Sequence, residues 1–184
     1  MENPKVQIII PVYNSGKFLR QCLDSLIAQT YKNWQAIIID DASTDESVDI
    51  LREYAEADER FLVFRQEKSG GVAKARNLGL SKLTAEYTAF LDSDDFWEKD
   101  MLEVMLERAE SVSADIVQCR FIYDFEGGKT VVPVGAFPKD LVLEGKGLRR
   151  VYVRMMTGIN MNHVCIRLIR TELISGLRFD GEMR

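Results

Sequence analysis

Val6-Gln7-Ile8-Ile9-Ile10-Pro11-Val12-Tyr13-Asn14-Ser15-Gly16 is the stretch that decides the fold. A β-branched run with three consecutive isoleucines, stopped by Pro11, shows none of the polar alternation of a half-exposed strand. It reads as a strand buried on both faces, as in parallel sheets. Tyr13 to Gly16 reads as a turn, and the apolar residues Phe18, Leu19, Cys22, Leu23, Leu26 and Ile27 then share one helical face. The same strand, turn and helix recur from Trp34 through Ala36-Ile37-Ile38-Ile39, a break at Asp40 to Asp45, and a helix with Val48, Leu51 and Tyr54 on its inner side. Phe61 to Phe64 supplies a third strand, Ser69-Gly70-Gly71 a turn, and Val72 to Leu80 a helix. Tyr87 to Leu91 supplies a fourth strand and Met101 to Ala109 a fourth helix.

Alternation with short links predicts an α/β fold: a Rossmann-like, doubly wound, mostly parallel sheet with helices on both faces. Beyond Asp115 the pattern changes. Ile116 to Tyr123 and Thr130 to Val134 read as strands around a turn at Glu126 to Lys129, Gly147 to Met156 as a helix, and Asn162 to Arg170 as a last strand, which together predict a mixed or antiparallel C-terminal part.

The 184 residues, 46% of them hydrophobic, suffice for one core, and no Pro/Ser-rich linker divides them, so one domain spanning 1–184 is expected. A net charge of -5 supplies no basic field, and nucleic acid is not an expected partner. Cys22, Cys119 and Cys165 form no CxxC pair, which argues against a zinc site or a disulfide framework. No signal peptide and no run of ~18 apolar residues is visible, so no transmembrane segment is expected and the cytoplasm is the default compartment.

Ligands of open α/β sheets bind beyond the carboxyl ends of the strands, where the winding reverses. Pro11-Val12-Tyr13-Asn14, Asp40-Asp41 and Asp92-Ser93-Asp94-Asp95 all fall on that edge. The last run offers hard oxygen donors suited to magnesium or manganese holding a diphosphate. On an extended chain Asp92 and Asp94 point the same way and Asp95 points elsewhere. Asp41 suits either a structural role or a hydrogen bond from a base imide such as uracil's. Gly70-Gly71 lies outside any GxGxxG or GxxxxGK[ST] pattern, so dinucleotide-binding and P-loop fingerprints are missing. Lys74 and Arg76 are the cations nearest that turn, with Arg76 able to meet phosphate or base oxygens. His163 reads as a strand-edge histidine, Trp97 equally as a sugar platform or a core-rim aromatic, and Arg149, Arg150 and Arg154 as one solvated helix face.

Five ordered motifs together closely resemble glycosyltransferase family 2: Ile8 to Asn14, Ser25 to Tyr31, Ile39 to Asp45, Gly71 to Asn77, and Leu91 to Asp95. The resemblance is close over residues 5 to about 110 and loose over 115–184. It implies a GT-A fold whose residues 1–114 bind the nucleotide sugar and whose residues 115–184 form part of an acceptor-side half. It also implies an inverting transfer from a nucleotide-diphosphate sugar, usually a UDP-sugar, to a saccharide or lipid-linked saccharide acceptor, in polysaccharide or cell-envelope glycoconjugate synthesis. Localisation would be cytoplasmic or peripheral at the inner face of the membrane. By position, Pro11, Val12 and Tyr13 would line the nucleotide pocket and Asp41, assisted by Arg76, would hold the base. Asp92 would approach ribose or donor sugar, Asp94 would bind a divalent metal (Mn or Mg), and Asp95 would orient hydroxyls. The family's base is an Asp, often preceded by Glu. No Glu-Asp pair occurs in Phe179 to Arg184, so the base is expected beyond Arg184, with Asp180 and Glu182 as substitutes and the chain read as truncated. A nucleotidyltransferase, which would want a glycine-rich basic loop after the first strand, and a noncatalytic nucleotide-sugar-binding module are the alternatives.

Overall fold

The computed structural model describes residues 3–121, 123–125, 129–131, 140–156 and 163–181. Contacts divide the chain into two compact units, Met1–Gln118 with Arg167–Arg184, and Cys119–Ile166. The first unit holds β1 (Val6–Val12), α1 (Gly16–Ile27), β2 (Trp34–Asp40), α2 (Ser47–Ala57), β3 (Phe61–Arg65), α3 (Val72–Leu80), β4 (Tyr87–Phe90), α4 (Met101–Ser111) and β5 (Ile116–Gln118). Its sheet runs β3-β2-β1-β4-β8-β5, where β8 is Arg167–Arg170. β1 pairs in parallel with β2 and β4, and β2 with β3; β8 runs antiparallel to β4 and β5. The expected mostly parallel sheet with a mixed edge is therefore present.

β1 is buried along its whole length because it lies between β2 and β4 and is covered on both faces. Ile9, Ile37 and Ile39 face α3, where a Cβ on Gly79 would come within 2.6 Å of Ile9 Cγ2. Ile8, Ile10 and Ile38 point to the other face and are equally buried. Winding proceeds outward through β2 and β3, then α3 carries the chain back to β4 on the opposite side of β1. That reversal opens a crevice between the ends of β1 and β4. Odd-numbered residues of β1 bond toward β4 and even-numbered ones toward β2: Leu91 N–H donates to Ile9 O, and Asp41 N–H to Val12 O. Pro11, which has no N–H, thus faces the side on which β4 has already ended, and no ladder bond is lost there.

Buried Gln29 joins α1 to α4. Its Nε2 donates to the carbonyls of Ser25 and Glu98, and its Oε1 accepts from Leu102 N–H. This accounts physically for the polar residue after α1.

The C-terminal expectations needed correction in detail. The strand expected from Ile116 to Tyr123 is a three-residue sheet strand, β5, while Tyr123–Phe125 (β6) pairs separately with Lys129–Val131 (β7). Residues 126–128 and 132–134 lie outside the described residues. Asn162 to Arg170 is not one strand: Val164–Ile166 forms a 3-10 turn before β8, because ladder partners begin only at Arg167, with β5 along Arg167 to Ile169 and β4 along Leu168 to Arg170. The predicted helix is α5 (Arg149–Met156), entered through a 3-10 turn at Gly145–Leu148. Both β6–β7 and α5 belong to the second unit.

Gly79→Ala should lower stability although alanine is the better helix former. The methyl meets packed Ile9 at an overpacking cost of about 1–3 kcal/mol, against a helix gain of about 1 kcal/mol. Thermal unfolding should show a midpoint lowered by a few degrees.

Candidate functional site

The turns after β1, β2 and β4 are bonded to one another. Asn14 N–H donates to Ser43 Oγ (3.0 Å), Thr44 N–H to Asn14 Oδ1 (2.8 Å), Ser15 N–H to Ser47 Oγ (2.9 Å) and Gly16 N–H to Asp45 Oδ2 (3.0 Å). Asp45 also accepts from Ser47 N–H at the start of α2, so one carboxylate serves the first turns of two helices. Burial works against its charge, but hydrogen bonds from the Ser47 hydroxyl and the Gly16 and Ser47 amides hold its carboxyl below the usual range. The stabilisation from its charge is complete above its ordinary value and fades as pH falls through the lowered one. The third turn joins through the Ser15 and Ser93 hydroxyls, 2.7 Å apart.

The acidic residues after β2 are structural in their contacts. Asp40 accepts from Ser43 N–H and pairs with Arg65 at 3.0 Å. Asp41, only 3% exposed, has both oxygens occupied: Oδ1 accepts from Gln66 Nε2 and Gly70 N–H, Oδ2 from Ser69 Oγ and Gly71 N–H. These four donors shape the turn that enters α3, including Gly71 at φ +83°, a conformation glycine adopts without strain. A base imide reaching Asp41 has to take the place of one of these donors, the Ser69 hydroxyl and the Gln66 amide being the side chains able to yield.

A cleft of about 480 Å³ opens at this edge. Pro11, Val12 and Tyr13 line it from the end of β1, Asp41 from β2, Ser69, Gly71 and Arg76 from α3 and its approach, and Asp92, Ser93 and Asp94 from the turn after β4. Tyr13, 54% exposed, is an accessible part of this lining, whereas Pro11 and Val12 are buried. Arg76 Nη2 donates to Asp92 Oδ1 at 2.7 Å, and its buried Nε has no partner among the described residues. Among the described residues none donates a hydrogen bond to the exposed Asp94 carboxylate, which stays open as a hard donor of the kind magnesium or manganese takes. The acidic run is a tight turn, closed by Asp95 N–H to Asp92 O, rather than the extended chain assumed from alternation. Asp92 and Asp94 still line the cleft; Asp95, exposed, does not. Cys22, on α1, donates to Asp92 O at 3.7 Å, and burial together with Asp95, Asp94 and Asp92 pushes its thiol far up, so it stays neutral.

The Glycosyl transferase family 2 profile matches residues 7–177. The chain belongs to glycosyltransferase family 2. It is 31% identical over 189 residues to the glycosyltransferase GlyG of Streptococcus pneumoniae serotype 4, covering 96% of this chain and 62% of GlyG. TarS 1-349 of S. aureus in complex with UDP-GlcNAc superposes with a TM-score of 0.74 at 26% identity, over 92% of this chain and 46% of that one. A mannosyltransferase from Pyrobaculum calidifontis, in complex with GDP-Man and Mn2+, superposes with a TM-score of 0.58 at 26% identity, over 64% of this chain and 36% of that one. This family 2 chain thus has the expected GT-A fold and spans less than two thirds of the length of these relatives.

Sequence reasoning did not single out Ser15 or Ser69, which line the cleft as well; a serine in a turn carries no signal of its own. Trp97 is 7% exposed and belongs to the core rim, not to a sugar platform. His163 is half-buried beside Phe121, ring centroids 5.0 Å apart, within the second unit. Asp180 lies exposed on the segment after β8, and Glu182 and Arg184 lie outside the described residues.

Asp41→Ala should release four donors at once. Hydrogen bonds to a charged acceptor contribute about 1.5–3 kcal/mol each when buried, less for the exposed donors here, so a total loss of about 2–3 kcal/mol is expected. Hydrogen exchange at Gly70 and Gly71 should accelerate, and Asp41→Asn, whose Nδ2 cannot accept, should give a smaller effect.

Proposed function

We propose that this chain binds a nucleotide-diphosphate sugar, most simply a UDP-sugar, for inverting transfer to an acceptor hydroxyl in the synthesis of a polysaccharide or glycoconjugate. The observation that carries this reading is the convergence of Tyr13, Arg76, Asp92 and the open Asp94 carboxylate on one cleft at the winding reversal. The UDP-GlcNAc complex of TarS, a relative in fold and sequence, supports a uridine donor, and the Mn2+ complex of the mannosyltransferase supports a metal.

Pro11, Val12 and Tyr13 form the apolar wall for the base. Asp41 holds the turn that completes this wall and accepts the base imide when a side-chain donor yields. Arg76 brings positive charge to the cleft and fixes Asp92, which faces the ribose or donor sugar. Asp94, with Asp92 beside it, is the residue that would hold a divalent ion, manganese or magnesium. Such an ion would act as a Lewis acid on the leaving diphosphate. Asp95, outside the cleft, orients hydroxyls at its rim. The acceptor hydroxyl, on a saccharide or lipid-linked saccharide, loses its proton to a carboxylate of the polypeptide following β8. On this reading the reaction runs on the cytoplasmic side, free or peripheral to the membrane. Among the described residues no helix is long and apolar enough to cross a membrane.

Calorimetry with UDP should show binding that strengthens with manganese, and Asp94→Ala should abolish that linkage while metal-free binding persists. In the intact protein the same change should lower sugar transfer on the order of a thousandfold, as expected for loss of a group stabilising charge in the transition state. UDP binding indifferent to manganese in the wild type would count against the reading.

A further inference from the structure

Arg76 and Asn77 are adjacent on α3, yet only Arg76 lines the cleft. Asn77 is bonded to the backbone of Phe179: its Nδ2 donates to the Phe179 carbonyl (2.9 Å) and its Oδ1 accepts from the Phe179 N–H (2.8 Å). One side-chain amide thus supplies both hydrogen bonds that a neighbouring strand would make. The Phe179 ring stands edge-on to Phe90, the last residue of β4, with centroids 5.6 Å apart. The Arg76 guanidinium lies 5.4 Å from the centre of the same ring while its Nη2 holds Asp92. Phe179 therefore touches both residues that frame the acidic turn, one preceding it in the chain and one paired with its first carboxylate.

The direction of this segment adds a second observation. A Cβ on Gly181 would come 3.8 Å from Ala73 Cβ. Ala73 and Asn77 are one helical turn apart on the same face, so Phe179 to Gly181 runs along α3 toward its N-terminus. That end borders the cleft through Gly71 and Val72. Phe179 is only half-buried; Phe90 and Arg76 hold its ring, and the amide clamp holds its backbone.

The geometry points to Asn77 as a positioning residue for sugar transfer: it seats the backbone at Phe179 so that the polypeptide after β8 approaches the donor cleft from the α3 side. This rests on the sugar-transfer reading, in which a carboxylate of that polypeptide activates the acceptor. Asn77 touches neither donor nor acceptor and acts only through the placement of Phe179.

The test uses the intact protein and three readouts: hydrogen exchange of the Phe179 amide, manganese-dependent UDP affinity, and turnover of a UDP-sugar. Asn77→Ala should speed Phe179 exchange by roughly ten- to a hundredfold, as loss of two part-buried hydrogen bonds implies. UDP affinity and donor KM should stay within about twofold, while kcat falls about tenfold or more, in keeping with the sensitivity of transfer to small misplacements. Asn77→Asp keeps the shape and guards against a mere folding defect. Its ionised carboxylate still accepts from the Phe179 N–H but cannot donate to the Phe179 carbonyl, so Phe179 exchange should fall between that of wild type and that of Asn77→Ala. Unchanged Phe179 exchange in Asn77→Ala, an unchanged kcat in that variant, or loss of UDP affinity in step with kcat would each overturn the role. A wild type without manganese-linked UDP binding or turnover defeats the sugar-transfer reading instead, and leaves the exchange result to judge the clamp by itself.

Discussion

An ionised carboxylate almost fully withdrawn from water must be surrounded by donors, and Asp41 meets that requirement with four. Because two of them are the amides of Gly70 and Gly71, satisfying this charge fixes the approach to α3. Where α3 begins determines where Arg76 and Asn77 stand, and these two residues hold Asp92 and Phe179 respectively. One electrostatic obligation at the end of β2 is thereby transmitted to the acidic turn after β4 and to the chain after β8.

The acidic residues of this edge look alike as letters, yet their surroundings sort them. Asp40, Asp41 and Asp45 spend their lone pairs on backbone and side-chain donors of the turns, while Asp94 has no donor among the described residues. A carboxylate with saturated acceptors shapes a wall; one with open acceptors at a cleft is available to a cation. This distinction, more than the number of acidic residues, is what supports a cation at Asp94.

The first four strands and their helices were legible because burial on both faces writes uninterrupted apolar runs, and amphipathic helices write a 3.6-residue period. Topology puts Pro11, Val12, Tyr13, Asp41 and Asp92 to Asp95 on one sheet edge, and the family resemblance adds Arg76; of these all but Asp95 line one cleft. What stayed hidden depends on distant partners. The shortness of β8 reflects where β4 and β5 offer pairing, the tight turn of Asp92 to Asp95 replaces an extended run, and the Asn77 clamp joins residues 102 positions apart. None of these writes a local period, and a serine such as Ser69 becomes informative only beside the carboxylate it serves.

The lattice of bonds between the first two turns has a directional asymmetry. Backbone amides of Asn14, Ser15, Gly16 and Thr44 are the donors, and side chains of Ser43, Ser47, Asp45 and Asn14 are the acceptors. Donors of this kind survive almost any substitution, so tolerance to change is set wholly by the accepting oxygens. Gly16 is the exception for a steric reason, since a methyl there would collide with the Glu46 side chain. The knot should therefore accept wide variation at exposed Thr44, which enters it through its backbone amide, and very little at the few oxygens that keep two helices starting from one place.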